Sequence, residues 1–242
     1  MKATLIIKNI HKLYASSPGS DVFSCIEHAF VAVHHARIID LGTHDHQQWI
    51  DKDTRIIDAS NEIVVPSFID AHVRFCFDRR SGDNVRINQE TMELFYKNGI
   101  TTVGTRQLPA VASSPYYQLF LCERQRLPIV DYGYLRHRQL KKGFLLSTSF
   151  LYEEQPFYDL MPLASLLCME RAAGAQEILA AMTLRPARAL KLSGKRGIRK
   201  GADADMIVFQ ARDLEELFCS FGRQRLHRII HQGVHIYPHV II

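Results

Sequence analysis

Apolar and polar positions alternate with a period of two over most of the first sixty residues, and that period selects strands. Segments 4–10, 29–35 and 37–41 are rich in Ile and Val, and Gly19, Gly42 and the polar stretch 16–20 punctuate them. This part predicts a small antiparallel sheet, with a helical turn admissible only over 45–50. From Glu62 the pattern changes. Residues 62–72 form an apolar run that contains Pro66. Residues 88–97 have helical spacing, with Asn88 placed to cap the start and Gly99 placed just past the end. Residues 100–105 are β-branched and predict a strand. Residues 114–126 predict a helix with Pro115 in its first turn. Short strands are predicted over 127–130 and 144–147, and helices over 160–171 and 175–190. The second of these is interrupted at Arg185-Pro186, where a new short helix should begin. Strand and helix in alternation predict a parallel sheet. After Ser193 the strand pattern returns over 205–209, 226–230 and 234–237, with a short helix or turn over 213–218. Gln232-Gly233 forms a tight turn between the last two strands.

Composition narrows the class without naming a function. The chain has 242 residues, 47% hydrophobic and 23% charged, with a formal charge of +5, which argues against disorder and fibrous repeats. Apolar runs such as 63–66 fall far short of the roughly 20 residues that span a bilayer. The opening MKATLIIKNIHKLY lacks the apolar core of a secretion signal, so a cytoplasmic protein is expected. Five scattered cysteines (25, 76, 122, 168, 219) without a close pair fit reduced thiols. The basic clusters at 136–142, 195–200 and 223–228 are short and read as solvated surface before nucleic-acid binding. A complete (β/α)₈ barrel takes about 250 residues, so this chain does not hold one together with its β-rich ends.

Two stretches carry a family likeness. Val65-Pro-Ser-Phe-Ile-Asp-Ala-His72 resembles the P-G-(F/L)-I-D-x-H-x-H strand of the amidohydrolase superfamily. Ala181-Met-Thr-Leu-Arg-Pro-Ala-Arg-Ala-Leu190, followed by Gly197 to Val208, resembles that superfamily's closing segment. Within the superfamily the chain is most similar to the imidazolonepropionases, ring-opening hydrolases of histidine breakdown. The stretches 72–80, 145–150 and 214–227 carry that likeness, and it covers two blocks, roughly 1–106 and 127–240. The resemblance implies a β-sandwich built from both chain ends around a metal-bearing barrel.

The resemblance also locates departures. The family holds zinc or iron with an H-x-H pair, with histidines from middle strands and with an aspartate after the last strand. Here the pair reads His72-Val-Arg74, and the final position reads Ser147-Thr-Ser149. A guanidinium stays protonated and only donates, so Arg74 cannot be a ligand. Only about twenty residues separate the two blocks, so the middle histidines have no counterpart. His72, Arg74 and Ser149 are therefore read as vestigial metal positions, and no metal cofactor is expected. One of Arg79 and Arg80 matches the family's substrate-binding arginine. With Arg74 they form a candidate anion-binding group. His44-Asp45-His46 reads as a polar turn. His227, His231, His235 and His239 are spaced too widely on strands for one ion, about 13 Å per four residues, and read as a surface row.

These readings converge on an α/β fold. Residues 1–65 and 195–242 are expected to form the composite sandwich. Residues 66–194 leave room for about four β/α units of roughly 30 residues, a truncated, TIM-like half-barrel. Its four strands are expected side by side, with the 127–130 and 144–147 strands preceding the 66–72 and 100–105 strands in spatial order. An open half-barrel exposes apolar faces and strand edges, so a second copy or a partner chain is expected to cover it. The leading expectation is a degenerate amidohydrolase-like protein that binds a small anion or serves as a subunit. The alternatives are a cyclic-amide C–N hydrolase whose site a partner chain completes, and a basic nucleic-acid-binding module.

Overall fold

The computed structural model describes residues 1–73, 89–105, 117–121, 127–133, 140–150, 157–223 and 225–238. The chain divides into two units, one made of Met1–Ser67 with Ser193–Ile242 and the other of Phe68–Leu192.

In the first unit the two chain ends share one sheet. Strands β1 (Leu5–Ser16), β2 (Phe23–His34), β3 (Arg37–Gly42), β4 (Arg55–Asp58) and β5 (Ile63–Pro66) come from the start of the chain. From the end come β11 (Met206–Phe209), β12 (Leu226–His231) and β13 (Val234–Tyr237). The hydrogen-bonded order is β13-β12-β11-β5-β1-β2-β3, with β4 pairing parallel to β1. The small antiparallel sheet expected before residue 60 is thus one part of an eight-stranded mixed sheet. The correction has a simple cause. β1 is twelve residues long, so one edge holds β2 while the other holds β4 and then β5 in tandem.

The alternation along β1 slips at Lys8-Asn9, where the register with β2 shifts. Asn9 takes a left-handed φ of 56° and donates to Asp58 Oδ2 at 2.7 Å. The bulge lets Leu5, Ile7, Ile10 and Leu13 all reach one core, despite the break in strict period. Val31, Val64, Met206, Val208 and Ile230 complete that core, so both chain ends contribute to it. On the other face Ala3, Ile6, Phe30 and Ala32 are covered by Ile39, Trp49 and Ile50. Trp49 closes a 3₁₀ turn at Gln47–Trp49, where a helical turn was expected, and its indole donates to Asp40. His44 bonds the same carboxylate and Asp45 Oδ1 accepts from the Gln47 N–H at 2.9 Å, so this polar segment is tied into local structure.

The β12–β13 hairpin turns through Gln232 and Gly233, both at positive φ (50° and 77°). Gly233 meets the β2–β3 turn so closely that a Cβ there would lie 1.7 Å from the His35 carbonyl oxygen. The expected surface row of histidines is corrected on this hairpin. His231 is fully buried, with Nδ1 2.8 Å from Asp205 Oδ1, and Arg196 is ion-paired to the same aspartate. His227 pairs with the buried Glu62, and His239 lies outside the described residues.

The second unit holds β6 (Phe68–Val73), α1 (Gln89–Lys97), β7 (Ile100–Thr105), β8 (Gln118–Leu121), β9 (Ile129–Val130) and β10 (Leu145–Leu146). Helices α2 (Met161–Met169), α3 (Ala175–Met182) and α4 (Leu184–Ala189) follow. Two predictions fail here. The stretch 118–121 is a strand parallel to β7, although its spacing suggested a helix. Its β-rich Tyr-Gln-Leu-Phe-Leu sequence satisfies the ladder at β7's free edge, and tertiary pairing overrides a short-range period. Among the described residues, the strands expected in one four-stranded sheet form a three-stranded β6-β7-β8 sheet and a two-stranded β9-β10 sheet, all parallel. The helix break falls at Thr183, just before the predicted Arg185-Pro186. Thr183 has φ −134° and its hydroxyl bonds back to Leu179 O at 2.7 Å, closing α3. Leu190 and Ala187 of the α4 region pack on Ile69, Ala71 and Leu145. Helix α5 (Leu214–Phe218) lies in the first unit, and the Asp213 side chain caps it by accepting from Glu216 N.

Burial and the nearby Arg196 guanidinium push the His231 pKa down to about 4, from 6.5. The imidazole is therefore neutral when folded, and between pH 6.5 and 4 only the unfolded chain takes up its proton. The group's contribution to stability is complete above pH 6.5 and is lost as pH falls through that window. Urea unfolding at stepped pH is expected to show this decline, with a shallower slope in His231→Gln.

Candidate functional site

Parallel β/α folds place their reactive groups at the carboxyl ends of the strands. In the second unit those ends hold Asp70 and His72 on β6, Asp131 after β9, and Ser147, Thr148 and Ser149 after β10.

Asp70 is the centre of the group. It is completely buried. Its Oδ1 accepts from the His72 backbone N–H at 3.1 Å and from Ser147 Oγ at 2.7 Å. Its Oδ2 accepts from Thr148 N at 2.8 Å and Thr148 Oγ1 at 2.6 Å. Four donors therefore satisfy a charge that would otherwise be prohibitive to bury. The pairing of β6 with β7 is irregular between Asp70 and Val73, which lets the carboxylate fold back onto the His72 amide. Ser147 Oγ also lies 3.2 Å from the His72 carbonyl oxygen, an alternative acceptor for its proton. No ladder joins β6 to β10 among the described residues, so Asp70 connects the two sheets through side-chain bonds.

Ser149 sits one step further along. It adopts a left-handed φ of 47°, unusual for a residue with a side chain. Its N–H donates to Ser147 Oγ at 2.9 Å, and its hydroxyl donates to Asp131 Oδ2 at 2.6 Å. The result is a continuous polar chain, Asp70–Ser147–Ser149–Asp131, spanning the ends of β6, β10 and β9. Next to it, burial and the Asp159 carboxylate push the Tyr132 pKa up to about 12. The Tyr132 hydroxyl donates to Asp159 O at 3.1 Å, and Asp159 Oδ1 accepts from Met161 N at the start of α2.

Of the residues singled out from sequence, His72 and Ser149 fall in this cluster. Arg74, Arg79 and Arg80 lie outside the described residues. Sequence reasoning missed Asp131. An aspartate directly after a Pro-Ile-Val strand was the available signal, since that is where a parallel strand presents its end. Asp70 was seen only as part of a motif string.

Among the described residues, two of the cluster's oxygen-bearing side chains are already committed to hydrogen bonds. Asp70 has its lone pairs engaged by four hydrogen bonds, and Ser149 offers a neutral hydroxyl already directed at a carboxylate. Among the described residues no group of three or more His, Cys, Asp or Glu side chains is arranged to hold a metal. No helix among the described residues is long and apolar enough to cross a membrane.

The parallel strands, their helices and the polar cluster at the strand ends place the second unit among parallel β/α folds. Part of the chain is similar in sequence to imidazolonepropionase. The imidazolonepropionase of Clostridium tetani is 32% identical over 121 residues, a match covering 44% of this chain and 29% of that protein. The match thus spans less than a third of that relative's length. An adenosine deaminase from Xanthomonas campestris with bound zinc superposes with a TM-score of 0.66 at 13% identity, covering 97% of this chain and 93% of that one. Guanine deaminase from E. coli superposes with a TM-score of 0.61 at 11% identity, covering 96% and 98%. At such identities the superpositions speak for the fold alone. No family model matches the chain.

Asp70→Asn replaces an acceptor with a donor facing the Thr148 N–H and hydroxyl. The variant is expected to lose about 2 kcal/mol of stability. Urea denaturation should show a lower midpoint at an unchanged slope.

Proposed function

We propose that this chain is a degenerate, imidazolonepropionase-related amidohydrolase-like protein that binds a small anionic ligand or serves as a subunit, without running the family's metal-dependent hydrolysis. The observation that carries the reading is the bonding of Ser149. It stands where the resemblance calls for a carboxylate that binds metal and shuttles a proton, and its hydroxyl is committed to Asp131 at 2.6 Å. A serine hydroxyl neither ligates a divalent ion strongly nor exchanges protons near neutral pH. Arg74 follows β6 directly and adds a fixed positive charge at the other end of the resemblance's ligand pair. In this reading Arg74, with Arg79 or Arg80, recognises a carboxylate by charge-assisted hydrogen bonds.

The same reading gives the architecture as a composite sandwich with a shortened β/α half-barrel. A second copy or a partner chain covers the barrel's open side. A single monomeric species in sedimentation at micromolar concentration would remove the homo-oligomer from the proposal.

Protein expressed with zinc and iron supplied in the medium is expected to carry well under one equivalent of either. Its melting temperature should not move in chelator, and it should not open the imidazolone ring of imidazolonepropionate. Stoichiometric metal, with ring opening lost on chelation, would overturn the reading in favour of a hydrolase completed by a partner chain.

A further inference from the structure

We infer that the first unit carries a second, separate site, a surface pocket that takes a small organic carboxylate. The pocket is a cavity of about 420 Å³ where the start of β4 meets the β2–β3 and β12–β13 turns. Arg55, His35 and His235 supply its polar wall, and Leu5, Ala36 and Val234 its apolar wall. Among the described residues no carboxylate lines it.

The Arg55 guanidinium has no carboxylate counter-charge among the described residues. Its side chain donates to Nδ1 of His235 at 2.9 Å. That bond also defines the imidazole. Nε2 of His235 lies 2.7 Å from the Tyr237 carbonyl oxygen and must donate to it, leaving Nδ1 as the acceptor that Arg55 requires. His235 is therefore a neutral prop that positions the guanidinium without neutralising it. The remaining guanidinium N–H groups are available to a ligand, in a fork that matches the two oxygens of a carboxylate.

The walls are fixed. Gly233 is seated against the His35 carbonyl, at a separation that only the absence of a Cβ permits. His35 itself turns through a φ of 51°, with its N–H bonded to Thr4 Oγ1 at 2.9 Å. Val234 is 60% exposed although apolar, and it forms one side of the cavity beside the charge. A charged fork against a short apolar wall suits a carboxylate that carries a compact apolar body, better than a bare inorganic ion.

Benzoate is the probe. Its titration into the intact protein, followed by amide NMR, is expected to shift residues 4–5, 35–36 and 232–235 with a Kd in the millimolar range. Benzyl alcohol, which has a similar body and no charge, should leave them in place. Arg55 is exposed, so Arg55→Gln should fold normally, and it should weaken benzoate by about tenfold. The assignment is overturned if benzoate shifts none of these residues, if benzyl alcohol shifts them equally, or if Arg55→Gln binds benzoate unchanged. Because Arg74, Arg79 and Arg80 are untouched in that variant, the result is independent of the anion site proposed for the second unit.

Discussion

The second unit depends on one buried carboxylate. Asp70 is surrounded by protein and accepts four hydrogen bonds, three of them from Ser147 and Thr148 and the fourth from its own strand at His72. An unpaired carboxylate in that position would destabilise the fold by several kcal/mol. Fully satisfied, it acts as a fixed link between two parallel sheets that no backbone ladder joins among the described residues. The irregular pairing of β6 with β7 leaves the carboxylate able to reach the His72 amide as well as Ser147 and Thr148.

The link has a chemical consequence. Lone pairs that hold strands together are not free to hold an ion, and a serine hydroxyl aimed at Asp131 is not free to replace a missing ligand. The polar residues at the strand ends face each other, so their bonding energy goes into structure.

The first unit follows a similar logic with other residues. Arg196, Asp205 and His231 form a buried polar group at the ends of β11 and β12 in the sheet shared by the two chain ends. On the surface, the two tight turns leave Arg55 supported by a neutral histidine instead of an acid. In both units the behaviour of a charged group is decided by which partners are within 3 Å, and those partners come from distant parts of the chain.

Much of this was legible in the chain itself. The strand periods at both ends, helix α1 ending just before Gly99, the Gln232-Gly233 turn and the family likeness around residues 65–72 are local signals, and each rests on neighbouring residues. The residue types at Arg74 and Ser149, which depart from the metal-binding pattern that the resemblance implies, are likewise a property of single side chains. Pairing was not legible. Residues 118–121 became a strand because β7 offered a free edge, and β1 acquired two partners on one side because of its length and bulge. His231 was buried by the closing of the hairpin, against the expectation of a surface row. Asp131 met Ser149, and Asp70 met Thr148, across 18 and 78 residues of chain. Spacing along a chain carries no information about contacts at that separation. Only the packed tertiary structure decides which hydroxyl reaches which carboxylate, and so which groups remain free for a ligand.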